Sequence, residues 1–198
     1  MNRMYRKSII ALFLFALATQ VLAQSTTTPP PQPYEVEVLV FQNKLSYLEG
    51  EELWTSDSVN VKLPDLTTAV EPENIFTPDS PLAKAAVTLE ADANFRVLLH
   101  ARWAQDAGPK SDTKWVYLHD SRVGEAELEG VLRFYRGRFL HVNLEFLFRD
   151  KEAGPFTSQS GGEPSPYRIS EHRRIRSRDI NYFDHPKFGA LVRVTPLR

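Results

Sequence analysis

The amino-acid sequence predicts an α+β fold that is mainly an antiparallel sheet of about six or seven strands, with one or two short helices. Three observations support this prediction. Apolar and polar residues alternate in several short segments, Gly- and Pro-containing turns separate those segments, and a single segment has clear helical spacing. Strand-period segments joined by hairpin-type turns are typical of antiparallel sheets.

The first 23 residues have the pattern of a cleaved export signal. The start is positively charged, residues 9–18 are apolar, and Val21-Leu22-Ala23 places small residues where cleavage after Ala23 would need them. The apolar run is too short to be a good membrane span. We therefore expect a periplasmic protein that is not inserted in the membrane after cleavage.

The remaining chain has to fold without disulfides, because it contains no cysteine. Residues 24–33 are rich in Pro and Thr and are expected to form a flexible spacer. Residues 34–198 are long enough to form one domain with its own core. We expect a single α+β domain over that range.

Charge is unevenly distributed along the chain. Residues 24–92 contain 3 Lys and Arg against 12 Asp and Glu, whereas residues 151–198 contain 9 against 5. The first segment is therefore acidic and the last is basic. Such asymmetry can orient a protein on a charged partner.

The first half of the domain combines a strand, a long loop and a helix. Residues 34–41 alternate, and their second face becomes apolar at its end, which predicts a strand covered on both sides. Residues 43–80 contain many acids and three prolines without sustained periodicity, so we expect a long acidic loop. Ser80-Pro81 predicts a helix over residues 81–92, with Ser80 as its N-cap.

Further strands are expected in the second half. Residues 95–103 and 114–119 have strand patterns, and residues 128–149 are predicted to form a hairpin. Its turn is Arg136-Gly137-Arg138, where Gly137 can adopt a positive φ. An apolar strand from Phe188 completes the chain.

A basic and aromatic ribbon precedes this last strand and supplies most candidate binding residues. Alternation would place Arg173 on one side and Arg174, Arg176 and Arg178 on the other. Trp54, Trp103, Tyr135 and Tyr182 are candidates for stacking on sugar rings, and Trp103 is expected in the core. The candidate ligand-binding residues are Arg173, Arg174, Arg176, Arg178, Tyr182, His185 and Trp54.

Several segments together resemble the CsiV family, peptidoglycan-binding periplasmic proteins of gammaproteobacteria. They are YEVEVLVF at 34–41, LLHARWAQ at 98–105, RFLHV at 138–142, and RRIRS followed by YFDHPKFG between 173 and 189. The resemblance implies a non-enzymatic protein that binds peptidoglycan. It also implies that the protein promotes cell-wall synthesis and cell shape by acting on a class A penicillin-binding protein through the outer-membrane lipoprotein that activates it. Asn181 stands where the family pattern HYxDHP has histidine, so no role of that histidine is carried over.

Peptidoglycan would suit the ribbon chemically, because its stem peptides and lactyl groups carry carboxylates and Arg binds a carboxylate with two parallel hydrogen bonds. Two alternatives stay open for the arginines: a solvated edge, or pairing with the acidic loop. A protein-only adaptor of the cell envelope is the alternative function.

The sequence contains no convincing catalytic or metal-binding pattern. GxSxG, HExxH and phosphate-binding glycine motifs are absent, and the five histidines are scattered. A wall hydrolase that uses Glu35 and Glu37 is a third alternative, but these two residues have the pattern of a solvated edge. We expect no catalytic residue, metal, cofactor or nucleic-acid partner.

Overall fold

The computed structural model describes residues 32–45, 63, 66–73, 79–120, 127–150 and 167–198. All of them lie in one compact unit, Pro31–Arg198. The predicted leader, most of the predicted acidic loop and Trp54 lie outside the described residues.

Within the described residues, eight antiparallel strands form two four-stranded sheets. Sheet A has the strand order β2-β1-β8-β7, and sheet B has the order β3-β4-β5-β6. The α+β class and the antiparallel sheet are broadly confirmed, although the strands outnumber the six or seven predicted. The elements are β1 (Gln32–Asn43), a 3-10 turn (Leu66–Thr68), α1 (Ala83–Ala91), β2 (Phe95–Ala107), β3 (Val116–His119), β4 (Leu128–Arg136), β5 (Leu140–Phe148), β6 (Tyr167–Ile175), β7 (Ile180–His185) and β8 (Phe188–Pro196).

The two sheets pack face to face around one apolar core. Each strand contributes residues mainly from one of its faces, because successive side chains point to opposite faces of a sheet. Tyr34 of β1 meets Phe134 of β4 with ring centres 5.2 Å apart, and Phe148 of β5 meets Phe188 of β8 at 5.5 Å. Trp103 is only 3% exposed and belongs to this core, as predicted.

Strand β1 is buried on both faces, which confirms its prediction from the sequence. Its second face contains Glu35 and Glu37, which are 8% and 1% exposed. The expectation of a solvated edge was wrong for these two residues, because β1 is a central strand of sheet A. Arg102 pairs with Glu35, and His100 lies 2.8 Å from Glu37. Both carboxylates are thus engaged inside the protein.

Helix α1 begins differently from the prediction. No side chain within the helix caps its N-terminus, and the predicted N-cap, Ser80, is buried before the helix starts. Instead, the Glu37 carboxylate accepts the Leu82 N–H at 3.1 and 3.2 Å. The start of the helix packs on sheet A, so a carboxylate of the sheet meets the unpaired N–H and the positive end of the helix dipole.

The predicted hairpin is confirmed as β4 and β5, joined by residues 137–139. Gly137 does not adopt the positive φ expected of it. The Gly137 N–H donates to the Phe139 carbonyl and closes the turn in another geometry. The one non-glycine residue with a positive φ in the described ranges is Arg178, at 70°.

The terminal ribbon forms three strands that belong to both sheets. Strand β6 is an edge of sheet B, whereas β7 and β8 belong to sheet A. The chain therefore passes from one sheet to the other between Ile175 and Ile180. Side chains that are neighbours in the ribbon consequently point to different surfaces of the protein.

Candidate ligand-binding face

A cluster of aromatic and basic side chains lies on the outer face of sheet B, beside the β4–β5 turn. Strand pairing places Tyr135 opposite His141, and His141 opposite Arg174. His172 shares their face because it precedes Arg174 by two residues on β6. We call the whole cluster the basic aromatic face: Lys110, Tyr135, Arg138, Phe139, His141, His172 and Arg174.

Three rings of this face are stacked. The ring centres of Tyr135 and His141 are 5.1 Å apart at an angle of 11°, and those of His141 and His172 are 5.2 Å apart at 30°. The Tyr135 hydroxyl lies 3.0 Å from Nε2 of His172, which lies 3.2 Å from Nδ1 of His141. One of these two imidazole nitrogens must donate the hydrogen bond and the other must accept it. The accepting nitrogen must therefore carry no proton.

Cations surround the exposed Phe139 ring, which is 42% exposed. The guanidinium carbon of Arg174 lies 4.0 Å from the ring centre, and that of Arg138 lies 5.5 Å away. Lys110 approaches the neighbouring Tyr135 ring at 5.7 Å. These cation–π contacts hold the positive groups in place without neutralising them.

Ion pairing distinguishes the two ends of the outer face of sheet B. Away from the turn, Arg149 pairs with Glu129 at 2.6 Å, and Arg168 pairs with Glu145 at 2.8 Å. Beside the turn, no carboxylate of a described residue forms an ion pair with Lys110, Arg138 or Arg174. The basic aromatic face therefore has an excess of positive charge.

The pKa of His141 reflects this excess of positive charge. Partial burial lowers its pKa, and the neighbouring His172, Arg174 and Lys110 lower it further because each disfavours another positive charge. The neutral form of the His141 imidazole is therefore favoured. An anion bound here would offset the repulsion.

Of the candidate residues predicted from the sequence, Arg174 and Tyr135 lie within the basic aromatic face, although the Tyr135 ring is buried there. Arg173, next to Arg174, points to the opposite side of β6, towards the gap between the two sheets. There Arg173 lies 2.6 Å from Glu171, donates to the Tyr182 carbonyl at 2.5 Å, and lies over the Phe183 ring. These contacts tie the edge of sheet B to the edge of sheet A.

The other predicted residues lie elsewhere. Arg176 and Arg178 are exposed in the β6–β7 turn. Tyr182 is 47% exposed and stacks on Phe41, on the outer face of sheet A. His185 is half-buried against other rings, and its Nδ1 accepts the Lys187 N–H. The predicted ribbon is therefore divided between two sheets.

Sequence reasoning did not select Lys110, Arg138, Phe139, His141 or His172 as candidate binding residues. The hairpin pattern held a usable clue, since it places Tyr135 and His141 on the polar face and close to the turn. The position of β6 beside β5 had no such clue, because 18 residues separate Phe148 from Tyr167. Lys110 reaches the face from the connection between β2 and β3.

A cleft of about 330 Å³ lies elsewhere, between β2 and the segment that bridges to β3 at Val70. Its single Lys is outnumbered by carboxylates, so the cleft does not suit an anionic ligand. No group of three or more potential metal ligands occurs in the described ranges. The charged residues of the cleft are Glu71, Glu73, Asp106, Asp112 and Lys114.

Comparisons with known proteins give one match. The family model described as "Peptidoglycan-binding protein, CsiV" matches residues 7–197. No curated protein and no solved structure matches the chain. None of the helices in the described part of the chain has the length and apolar character needed to cross a membrane.

Proposed function

Because the chain belongs to the CsiV family of peptidoglycan-binding proteins, we propose that it is a non-enzymatic periplasmic protein that binds peptidoglycan through the basic aromatic face. One observation carries the assignment of this face. Arg174 and Arg138 lie beside the exposed Phe139 ring, Lys110 lies over the neighbouring Tyr135 ring, and none of the three forms an ion pair with a described residue. Peptidoglycan offers the complement, since it combines carboxylates with sugar rings.

Each part of the face has a distinct task in this proposal. The Arg174 guanidinium binds a carboxylate of the lactyl group or the stem peptide, with the planar fork that suits two parallel hydrogen bonds. The Phe139 ring packs on the apolar side of a sugar. Lys110 and Arg138 add a field that attracts the anionic polymer.

The other residues predicted to contact the ligand have different roles in this proposal. Arg176 and Arg178 are exposed in the β6–β7 turn, two and four residues after Arg174, so they add positive charge there. Arg173 and His185 have partners inside the protein and are assigned to the fold. Tyr182 faces outward from sheet A and Trp54 lies outside the described residues, so both remain predicted contacts.

The protein acts without catalysis in this proposal. It promotes cell-wall synthesis by a class A penicillin-binding protein, through the outer-membrane lipoprotein that activates the synthase. The leader-like start of the chain supports export to the periplasm, where the wall and the activator meet. The carboxylates of a hydrolase are not supplied by Glu35 and Glu37, because both are buried and engaged.

An adaptor without wall binding is a second candidate, favoured by the outer face of sheet A. Ile180 and Tyr182 on its edge strand β7 are 55% and 47% exposed. Neighbouring exposed apolar side chains can mark a protein interface. The two candidates predict different behaviour towards isolated peptidoglycan.

Co-sedimentation with purified sacculi tests the proposed function. We expect the protein to pellet with sacculi at low salt and to be partly released at moderate salt, because exposed charges are screened within about 10 Å at 0.1 M salt. Protein that stays in the supernatant at every salt concentration would contradict the proposal and favour the adaptor. A zone of lysis on a sacculus-containing gel would contradict the absence of catalysis.

A further inference from the structure

The two stacked histidines lie where an anion bound to Arg174 would meet them. His141 pairs across the strands with Arg174, and His172 lies two residues before Arg174 on the same face of β6. Their contacting nitrogens are 3.2 Å apart. A carboxylate that bridges Arg174 and this pair would gain a hydrogen bond from an imidazolium as well as from the guanidinium.

The charged and titratable groups around the pair come from three elements. Strand β4 supplies Tyr135, strand β6 supplies Arg174, and the connection between β2 and β3 supplies Lys110. No described carboxylate forms an ion pair with either histidine. Glu145, on the strand of His141, is held by Arg168 and Ser170, and Glu171, next to His172 on β6, pairs with Arg173 on the other face of the strand.

Protonation of His141 is disfavoured in the protein without a bound anion. Partial burial disfavours the added positive charge, which also lies beside His172, Arg174 and Lys110. A bound carboxylate reverses this balance, because an opposite charge within hydrogen-bonding distance favours the imidazolium. Ligand binding and proton binding at this place are therefore linked, and the linkage is reciprocal.

We propose that His141, His172 and Arg174 form a proton-linked carboxylate site, which binds a carboxylate together with one proton from solvent. Without a bound anion, the charged Arg174 and the neighbouring groups favour the neutral form of the His141 imidazole. In the bound site, one imidazole has taken up a proton and donates it to the carboxylate in a hydrogen bond. The identification of peptidoglycan as the source of this carboxylate rests on the proposed function.

The direction of the pH effect follows from this balance. A carboxylate stays ionised above about pH 4.5, whereas an ordinary imidazole is protonated below about 6.5. Affinity should therefore rise as pH falls from 7.5 to 5.5. Uptake of one full proton gives at most about a tenfold gain per pH unit.

The test uses the purified protein, N-acetylmuramic acid and NMR. Imidazole signals are titrated between pH 5.5 and 7.5, without ligand and with it. We expect N-acetylmuramic acid to raise the pKa of His141 and to bind about tenfold more tightly at pH 5.5 than at 7.5. N-acetylglucosamine, which lacks the carboxylate, should leave both histidines unchanged.

Matched variants separate a specific role from general charge. In the double variant His141→Gln and His172→Gln, the affinity for N-acetylmuramic acid should change less than about twofold across the same pH range. His119→Gln, on β3 of the same sheet, should keep the wild-type pH dependence. Far-ultraviolet circular dichroism confirms that each variant is folded.

Three results would overturn the proposal. They are an unchanged pH dependence in the double variant, no effect of N-acetylmuramic acid on either histidine at pH 5.5, and equal effects of inorganic phosphate and N-acetylmuramic acid. Sacculus binding separates this inference from the proposed function. If sacculi bind without pH dependence, the proton linkage fails and the function stands. If N-acetylmuramic acid shifts the histidines but sacculi do not bind, the function fails and the linkage stands.

Discussion

The guanidinium carbon of Arg174 lies 4.0 Å from the centre of the Phe139 ring, on the outer face of sheet B. The two residues come from different elements, since Arg174 is near the end of β6 and Phe139 is in the β4–β5 turn. The contact places a positive charge and an exposed ring side by side. A carboxylated sugar polymer presents the matching pair of features.

Replacing Phe139 by Ala should weaken sacculus binding about three- to tenfold, which corresponds to about 0.7–1.4 kcal/mol. The variant loses the stacking surface and the cation–π contact that orients Arg174, while the fold loses little because the ring is 42% exposed. Co-sedimentation over a range of sacculus concentrations measures the effect. Unchanged binding by the folded variant would remove Phe139 from the site.

Arg173→Ala should lower the free energy of unfolding and leave sacculus binding unchanged. The side chain joins the edges of the two sheets through the Tyr182 carbonyl and the Phe183 ring of β7, and it pairs with Glu171 on its own strand. Losing these half-exposed contacts should cost about 1 kcal/mol of unfolding free energy. Urea denaturation measures the loss. A binding defect larger than that of Arg174→Ala would show that Arg173 contacts the ligand instead.

Glu37→Ala should destabilise the protein by about 3 kcal/mol, because it removes the buried carboxylate that contacts His100 and accepts the Leu82 N–H. Urea denaturation at neutral pH measures this loss. Glu73→Ala is the matched control, since Glu73 is exposed, and should stay within about 0.5 kcal/mol of the wild type. Equal stability of the two variants would show that Glu37 does not anchor α1.

Acid should remove part of the same stabilisation. Burial by itself would raise the pKa of Glu37, but hydrogen bonds from His100 and the Leu82 N–H hold that pKa below 4.5. A carboxyl whose pKa is lowered on folding stabilises the protein above its unfolded pKa and loses that effect as pH falls through its folded pKa. The stability difference between the wild type and Glu37→Gln should therefore shrink below pH 4.5. A constant difference down to pH 3 would contradict this account.

Gly189→Ala should disturb the stacked rings on sheet A. A Cβ at Gly189 would lie 2.7 Å from Tyr182 and 2.9 Å from Phe41. Relief of this overlap should cost about 1–3 kcal/mol and displace Tyr182. Gly137→Ala is the control, because no atom lies within 4 Å of its added Cβ. Similar urea midpoints for the two variants would contradict the predicted overlap.

Local patterns predicted the strands well, because period-two alternation is a property of each strand alone. The β4–β5 hairpin and the doubly covered β1 were both predicted. The N-terminus of α1 was not, because its cap is the Glu37 carboxylate, 45 residues before Leu82. A tertiary contact of this kind leaves no local pattern in the sequence.

The composition of the candidate site could also be predicted only in part from local sequence patterns. The ribbon pattern identified Arg174, and alternation separated it from Arg173. It could not show that the chain changes sheets after Ile175, which places Tyr182 on another surface from Arg174. Nor could it bring Lys110 and His141 to Arg174, because that proximity depends on how β4, β5 and β6 pair.

The most direct test compares Arg174→Gln with Arg168→Gln in co-sedimentation with purified sacculi. Both arginines lie on β6 and both changes remove one charge, but Arg168 is paired with Glu145 whereas Arg174 belongs to the basic aromatic face. We predict at least about a tenfold loss of binding for Arg174→Gln, or about 1.4 kcal/mol, and less than about a twofold loss for Arg168→Gln. Circular dichroism confirms that both variants fold. Equal binding by the two variants would contradict the assignment of this face to peptidoglycan.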